Sequence, residues 1–202
     1  MSTAMKFFHK LCSGIDVEPL LSALDKNPQL WDQFTVRKDV ADGPHGAMSD
    51  IWIRYNDIAP FAGRGDFTGF NDAHVPIWYE AYDVLRAALD PILFKLMADV
   101  AGEMIGGVLI TRIPAGCGID PHIDRGWHVN YYDKFYLSLK SAPGATFHCG
   151  DEVINPAPGD LYHFDNRLEH WVRNDSDSDR MTLIICIRTD RRRWAPADGA
   201  LE

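Results

Sequence analysis

A histidine and an aspartate stand two residues apart at His122-Ile123-Asp124. In a strand, residues i and i+2 point to one face, so this imidazole and carboxylate can converge on one point. Pro121 just before them fits a strand edge or mouth better than a central ladder position. His170 follows at the start of another β-rich run, and Arg180 heads the last such run. Two histidines and one carboxylate form the ligand set of a non-haem Fe(II) site, which leaves coordination positions open. A structural zinc site would normally be closed by four ligands that include thiolates. Arg180 offers a rigid cationic fork suited to a carboxylate. Thr182, two residues on and on the same strand face, offers a further donor. Together these residues suit a metal ion plus a dicarboxylate co-substrate that chelates it. Blander readings stand beside this one. With eight histidines in the chain, an HxD can arise by chance. His170 alone fits a structural role, and Arg180 alone fits a surface ion pair. The order of the residues and their β-rich context favour the metal site.

The elements that must position these residues lie mostly in the second half. Runs at 108–113, 134–140, 145–149, 160–164, 169–173 and 181–188 are rich in β-branched and aromatic residues. Turn signals such as Pro143-Gly144 and Pro158-Gly159 separate them, which predicts a sandwich or barrel. Lys134, Tyr136 and Ser138 share one strand face, and Phe135, Leu137 and Leu139 the other. Arg180, Thr182, Ile184 and Cys186 likewise share a face. A barrel lumen, polar at one end and apolar deeper down, would have this parity; so would an ordinary sandwich. The first half reads differently. Helical spacing covers 16–35, with Asp16 as a cap and a break at Asn27-Pro28. Residues 51–55 alternate like a strand, and 56–75 read as a long loop. Residues 77–90 carry Trp78, Tyr82, Leu85 and Leu89 on one helical face. Asp90-Pro91 predicts a restart, with a second helix running to about Val100.

Length and composition bound the class. The chain has 202 residues, 46% hydrophobic and 24% charged, the range of one globular domain. We read it as a single domain over 1–202: helical support and first strands over 1–103, a β core over 104–189 and a tail over 190–202. Lys and Arg number 20 against 29 Asp and Glu, a net charge of −9, which argues against bulk nucleic-acid binding. Cys12, Cys117, Cys149 and Cys186 are too far apart for a CxxC pair. No apolar stretch is long enough for a membrane span, and the first residues lack the continuous apolar run of a signal peptide. A cytoplasmic protein with free thiols is expected.

From about Ile110 to Thr189 the sequence resembles the aspartyl/asparaginyl β-hydroxylase family of Fe(II)/2-oxoglutarate-dependent dioxygenases. The stretches that carry the resemblance are PHIDRGWHVNYYDKFYLSL (121–139), PGDLYHFDNRLEHWVRNDS (158–176) and DRMTLIICIRT (179–189). The resemblance implies a mostly β fold with supporting helices, its core a double-stranded β-helix (a cupin-like jelly roll). It implies Fe(II) as metal, 2-oxoglutarate and O2 as co-substrates, and hydroxylation of a C–H bond with release of succinate and CO2. His122, Asp124 and His170 match the iron ligands, and Arg180 matches the residue that holds the C5 carboxylate of 2-oxoglutarate. Lys134 and Tyr136 lie where the family places a basic and a hydrogen-bonding residue on an inward-facing strand, and with Thr182 they would assist the co-substrate. Some members lack the carboxylate ligand; Asp124 is present here, which separates this chain from the best-known peptide hydroxylases and leaves the substrate open.

Substrate residues are sought in the loop after the HxD, where Arg125, Trp127 and His128 are candidates, Arg125 and His128 for a substrate carboxylate. Trp127 equally fits a core cover. Arg64 is a candidate on the 56–75 loop, which reads as a lid. His45 and Arg54 read as structural. Three functions are compared. One is a hydroxylase of an Asp or Asn side chain in a peptide, or of a related small acid or amide. Another is a 2-oxoglutarate oxygenase of a free amino acid or biosynthetic intermediate. The last is a cupin-type module that binds or senses a metal without turnover.

Overall fold

The computed structural model describes residues 5–39, 43–64, 66–72 and 75–190. In chain order the elements are β1 (Phe8–Cys12), α1 (Glu18–Lys26), a 3-10 turn (Pro28–Leu30), β2 (Ser49–Asn56), β3 (Pro76–Trp78), α2 (Glu80–Asp99), β4 (Met104–Ile113) and β5 (Gly118–His122). There follow α3 (Trp127–Tyr131), β6 (Asp133–Lys140), β7 (Ala145–Cys149), β8 (Glu152–Ile154), β9 (Leu161–Phe164), β10 (His170–Asn174) and β11 (Arg180–Arg188). Two antiparallel sheets result. The larger has seven strands in the order β1-β9-β6-β11-β4-β2-β3, and the smaller four in the order β5-β10-β7-β8. This is the mostly β, jelly-roll architecture expected of the sequence. Among the described residues no helix is long and apolar enough to cross a membrane.

The parity of the central strands decides which face meets which partner. Phe135, Leu137 and Leu139 of β6 and Leu183, Ile185 and Ile187 of β11 point outward from the barrel. They meet Leu20 and Leu24 of α1 and Leu85, Leu89, Leu93 and Leu96 of α2 in one buried cluster. The alternate residues point inward, where Tyr136, Phe147, Phe164 and Val172 pack between the sheets. A third cluster of Trp52, Phe70, Tyr79, Leu109 and Ile184 joins the inner face to the 58–70 loop. The helices therefore cover one face of the large sheet and leave its other face for the site.

Several local expectations change. The region 77–100 is not two helices. Trp78 belongs to β3 and α2 runs unbroken through Pro91. Proline removes the bond to the carbonyl of Ala87, but Ala87 and Pro91 are both exposed, so water can satisfy that carbonyl. Asp90 is not a cap; its Oδ1 accepts the Tyr82 hydroxyl at 2.8 Å. Asp16 sits one residue before the N-cap of α1, Val17, and accepts the Glu18 N–H at 3.1 Å. That helix ends at Lys26, well short of 35, because Asn27-Pro28 turns the chain. The short strands β1, β3 and β8 carry no clear sequence signal, and β5 stops at His122, so Asp124 lies beyond the strand that the HxD spacing predicts. The tail from 191 onward lies outside the described residues.

The buried cluster beneath α2 should dominate stability. Leu89 is 0% exposed whereas Val84, on the solvent side of the same helix, is 39% exposed. Leu89→Ala should cost about 2–5 kcal/mol and Val84→Ala within about 0.5 kcal/mol, as read from urea denaturation midpoints at constant slope.

Candidate metal centre

Antiparallel pairing of β5 with β10 sets His122 directly opposite His170. Directly opposed side chains project to the same face of a sheet, and the two imidazole centroids are 4.3 Å apart. Gly118 makes this pairing possible: a Cβ there would lie 2.5 Å from the carbonyl oxygen of Val172. Asp124 follows just past the end of β5. Its N–H donates to the Asn166 carbonyl at 3.2 Å, and its Oδ2 accepts the Asn166 amide at 2.9 Å. Asn166 precedes β10, so it ties the two ligand-bearing segments together. One ligand atom each from His122, Asp124 and His170 lies within 4.8 Å of the others.

The imidazoles are oriented from behind. Nδ1 of His122 lies 2.7 Å from the Asp120 carbonyl, and Nδ1 of His170 lies 2.9 Å from the Leu168 carbonyl. A carbonyl only accepts, so each Nδ1 carries a proton and Nε2 is the nitrogen left for a metal. Burial, reinforced by the charge of Lys134, pushes His170 down to about 4, which keeps it neutral. Burial alone would raise the Asp124 carboxyl, but Lys134, His170 and Asn166 outweigh it and hold the group well below the usual carboxylate range. Lys134 is ion-paired to Asp124 Oδ2. Burial works against its charge, and Asp124 more than restores it, so its ammonium titrates above the ordinary lysine range. Two imidazoles and an ionised carboxylate suit a divalent first-row metal such as iron.

Arg180 opens β11 and is only 4% exposed. Among the described residues it makes no ion pair with a carboxylate. Its guanidinium lies 5.8 Å from the Phe147 ring centroid, and burial pulls it down to about 10. Two residues along the same face, the buried Thr182 hydroxyl has no hydrogen-bond partner. A narrow inner cavity joins His122, His170, Lys134, Tyr136, Phe147 and Arg180. A wider outer cavity of about 290 Å³ begins at Asp124 and Lys134.

The sequence-derived substrate residues divide. Arg125 and His128 line the outer cavity. His128 sits on α3, whose start at Gly126 has φ 108°, and a Cβ there would meet the His128 ring at 2.9 Å. Trp127 is exposed and donates its Nε1–H to the Asp72 carbonyl at 3.1 Å, bridging two loops. Arg64 is exposed over Phe61 and lines neither cavity. Arg54 donates to the Ile105 carbonyl at 3.3 Å and lies over Trp78, outside both cavities. His45 is brought in: it stands edge-on to His122 at 5.1 Å and lines both cavities. Arg37 lines both as well, held by Asp50 at 2.8 Å. Neither Arg37 nor Asn166 carried a motif; each reaches the site from a loop that only the tertiary fold brings there.

A family model described as aspartyl/asparaginyl beta-hydroxylase matches residues 77–189. Among solved structures, a prolyl hydroxylase from Trichoplax adhaerens, in complex with a hypoxia inducible factor peptide fragment, is similar at TM-score 0.56 and 15% identity. The match covers 94% of this chain and 86% of that one. An oxidoreductase of the 2OG-Fe(II) oxygenase family from Burkholderia pseudomallei is similar at TM-score 0.51 and 18% identity, over 70% of this chain and 66% of that one. A Pseudomonas putida prolyl-4-hydroxylase is similar at TM-score 0.50 and 14% identity, over 93% and 95%. Identities this low speak to the fold alone. No curated protein sequence matches this chain.

The neutral imidazoles set a pH response in the metal-free protein. His45, pushed down to about 3 mainly by burial and then by Arg37, and His170, at about 4, resist protonation when folded. The unfolded chain takes up those protons near 6.5. Stability should therefore be full above about pH 6.5 and fall as pH drops toward 4. His45→Gln should flatten that slope, measured as urea midpoint against pH in the presence of chelator.

Proposed function

Because the chain belongs to the aspartyl/asparaginyl β-hydroxylase family of Fe(II)/2-oxoglutarate-dependent dioxygenases, we propose that it hydroxylates a C–H bond of an Asp or Asn side chain or of a related small acid or amide. The observation that carries the proposal is Arg180. A buried guanidinium with no carboxylate partner is costly, and a cavity connects it to the His122–Asp124–His170 cluster. An anion that binds metal at one end and Arg180 at the other removes that cost, and 2-oxoglutarate has this shape.

His122, Asp124 and His170 would hold the iron. Their back-bonded Nδ1 atoms and the Asn166 amide keep the ligand atoms aimed. Arg180, with the Thr182 hydroxyl, would take the far carboxylate of 2-oxoglutarate. When bound, iron and 2-oxoglutarate activate O2, releasing succinate and CO2 and converting a C–H bond to an alcohol. The protein's part is positioning and the exclusion of water. Tyr136 and Phe147, stacked at 5.1 Å, wall the inner cavity, and Phe164 packs edge-on against both. Lys134 neutralises the Asp124 oxygen turned away from the imidazoles and limits its freedom to rotate. In this reading Lys134 acts on a metal ligand first and on the co-substrate only through it. A module that merely binds metal has no use for a buried unpaired guanidinium, which is why the catalytic reading is preferred.

Adding Fe(II) and 2-oxoglutarate without oxygen should produce a visible metal-to-ligand absorption band, and His122→Ala should abolish it. Arg180→Ala should weaken 2-oxoglutarate about tenfold to a hundredfold, with Arg180→Lys recovering part of the loss. A protein that takes up iron but never develops the band would sink the proposal.

A further inference from the structure

The outer cavity differs sharply in charge from the rest of the molecule. The chain carries a net charge of −9, yet the cavity walls present Arg37, Arg125 and Lys134 against one carboxylate, Asp124. Lys134 is already committed to that carboxylate. Arg125, and Arg37 with its guanidinium held on one nitrogen by Asp50, line the same space of about 290 Å³, the lower end of the range for small-molecule pockets. Arg125 makes no ion pair among the described residues.

Arg37 is aimed rather than merely present. Asp50 is buried on β2 and holds Nη1 of Arg37 at 2.8 Å. The Asp50 N–H is in turn held by Asp32 Oδ1 at 3.1 Å, and the Asp32 N–H donates to the Asp50 carbonyl at 2.8 Å. This frame fixes the guanidinium where the inner and outer cavities meet. An anion bonded to it lies beside the candidate metal centre. Beside the lining residues Asn71 and His128, Trp127 on α3 donates to the Asp72 carbonyl and ties these two walls together. A cavity this small admits a compact molecule more readily than a strand of polypeptide.

We propose that the substrate is a small free carboxylic acid, such as a free amino acid, gripped through its carboxylate by Arg37 and Arg125. This names the substrate class of the site and rests on the hydroxylase reading above. A residue inside a peptide has its α-carboxyl tied up in an amide, so only an acidic side chain could still offer these cations a carboxylate. A free acid satisfies both, through charge-assisted hydrogen bonds of the kind guanidinium makes best.

The test uses the full chain loaded anaerobically with Fe(II) and 2-oxoglutarate. Free amino acids and small dicarboxylic acids are compared with their primary amides and with the same residues in capped peptides. Readouts are perturbation of the visible band, thermal shift and, with oxygen admitted, succinate release. At least one free acid should perturb the band and stimulate release, while its amide and capped peptide do neither. Arg37→Gln and Arg125→Gln should each raise the KM for that acid about tenfold or more and leave the KM for 2-oxoglutarate unchanged. Arg125 is at the surface, so its variant tests the clamp even if Arg37→Gln folds poorly. The proposal is overturned if a capped peptide acts as well as the free acid. It is also overturned if Arg37→Gln shifts the 2-oxoglutarate KM instead, or if no acid perturbs a protein that forms the band. Failure of the band itself counts against the hydroxylase reading; binding of the acids is then judged by thermal shift of the metal-free protein, with Arg37→Gln as its control.

Discussion

The register between β5 and β10 is the constraint on which the site depends. Side chains alternate along a strand, so a slip of one residue would turn either His122 or His170 away from the other. The pairing is held from its far end. Asn174, fully buried at the end of β10, donates its side-chain amide to the carbonyls of Ile113, Pro114 and Ser178. Those three carbonyls belong to the end of β4, the turn after it and the approach to β11. One amide thus pins the strand that carries His170 to the segment that delivers Arg180. The separation between metal cluster and guanidinium is set by this corner, not by the two residues themselves.

Two buried cations near the cluster are treated in opposite ways. Lys134 has its carboxylate in place, and the ion pair holds the candidate metal ligand Asp124 ionised. Among the described residues Arg180 has an aromatic face and a neighbouring tyrosine but no carboxylate. Desolvating a charge without a partner opposes folding, and the unpartnered Thr182 hydroxyl adds to that burden. Unsatisfied groups of this kind are rare in a core and cluster where a ligand completes them. Outward-facing Leu183 and Ile185 of the same strand are packed beneath the helices. Strand parity therefore lets one strand anchor the fold on one face and hold an unsatisfied charge on the other.

Period and parity made much of this legible in sequence. The HxD spacing, the distant His170 and the Arg180–Thr182 alternation are local patterns, and local patterns survive without a fold to interpret them. The inward and outward faces of β6 and β11 were readable for the same reason. Pro91 misled because local propensity forbids what an exposed helix face tolerates. The short strands β1 and β8 form because a neighbouring edge is waiting for them, as when His9 pairs with His163, and no window of sequence records that. Asn166 and Arg37 were invisible on the same grounds. An asparagine four residues before a histidine, or an arginine in a loop, becomes meaningful only once Asp124 or Asp50 is known to lie beside it.

That division has a consequence for what family membership can say. The matched segment, 77–189, contains His122, Asp124, His170 and Arg180. Seven of the eighteen residues of the outer cavity wall, Arg37 and His45 among them, precede it. The candidate metal cluster and Arg180 thus lie within the shared core, while the outer cavity is walled jointly by that core and by chain that precedes it. The helices and loops of the first half do more than cover a hydrophobic face: through the Asp32–Asp50 frame they carry a cation to the edge of the metal cluster. Knowledge of the family therefore constrains the reaction strongly and the substrate weakly, and substrate discrimination is to be sought both in the wall residues contributed by 37–71 and in Arg125 and His128.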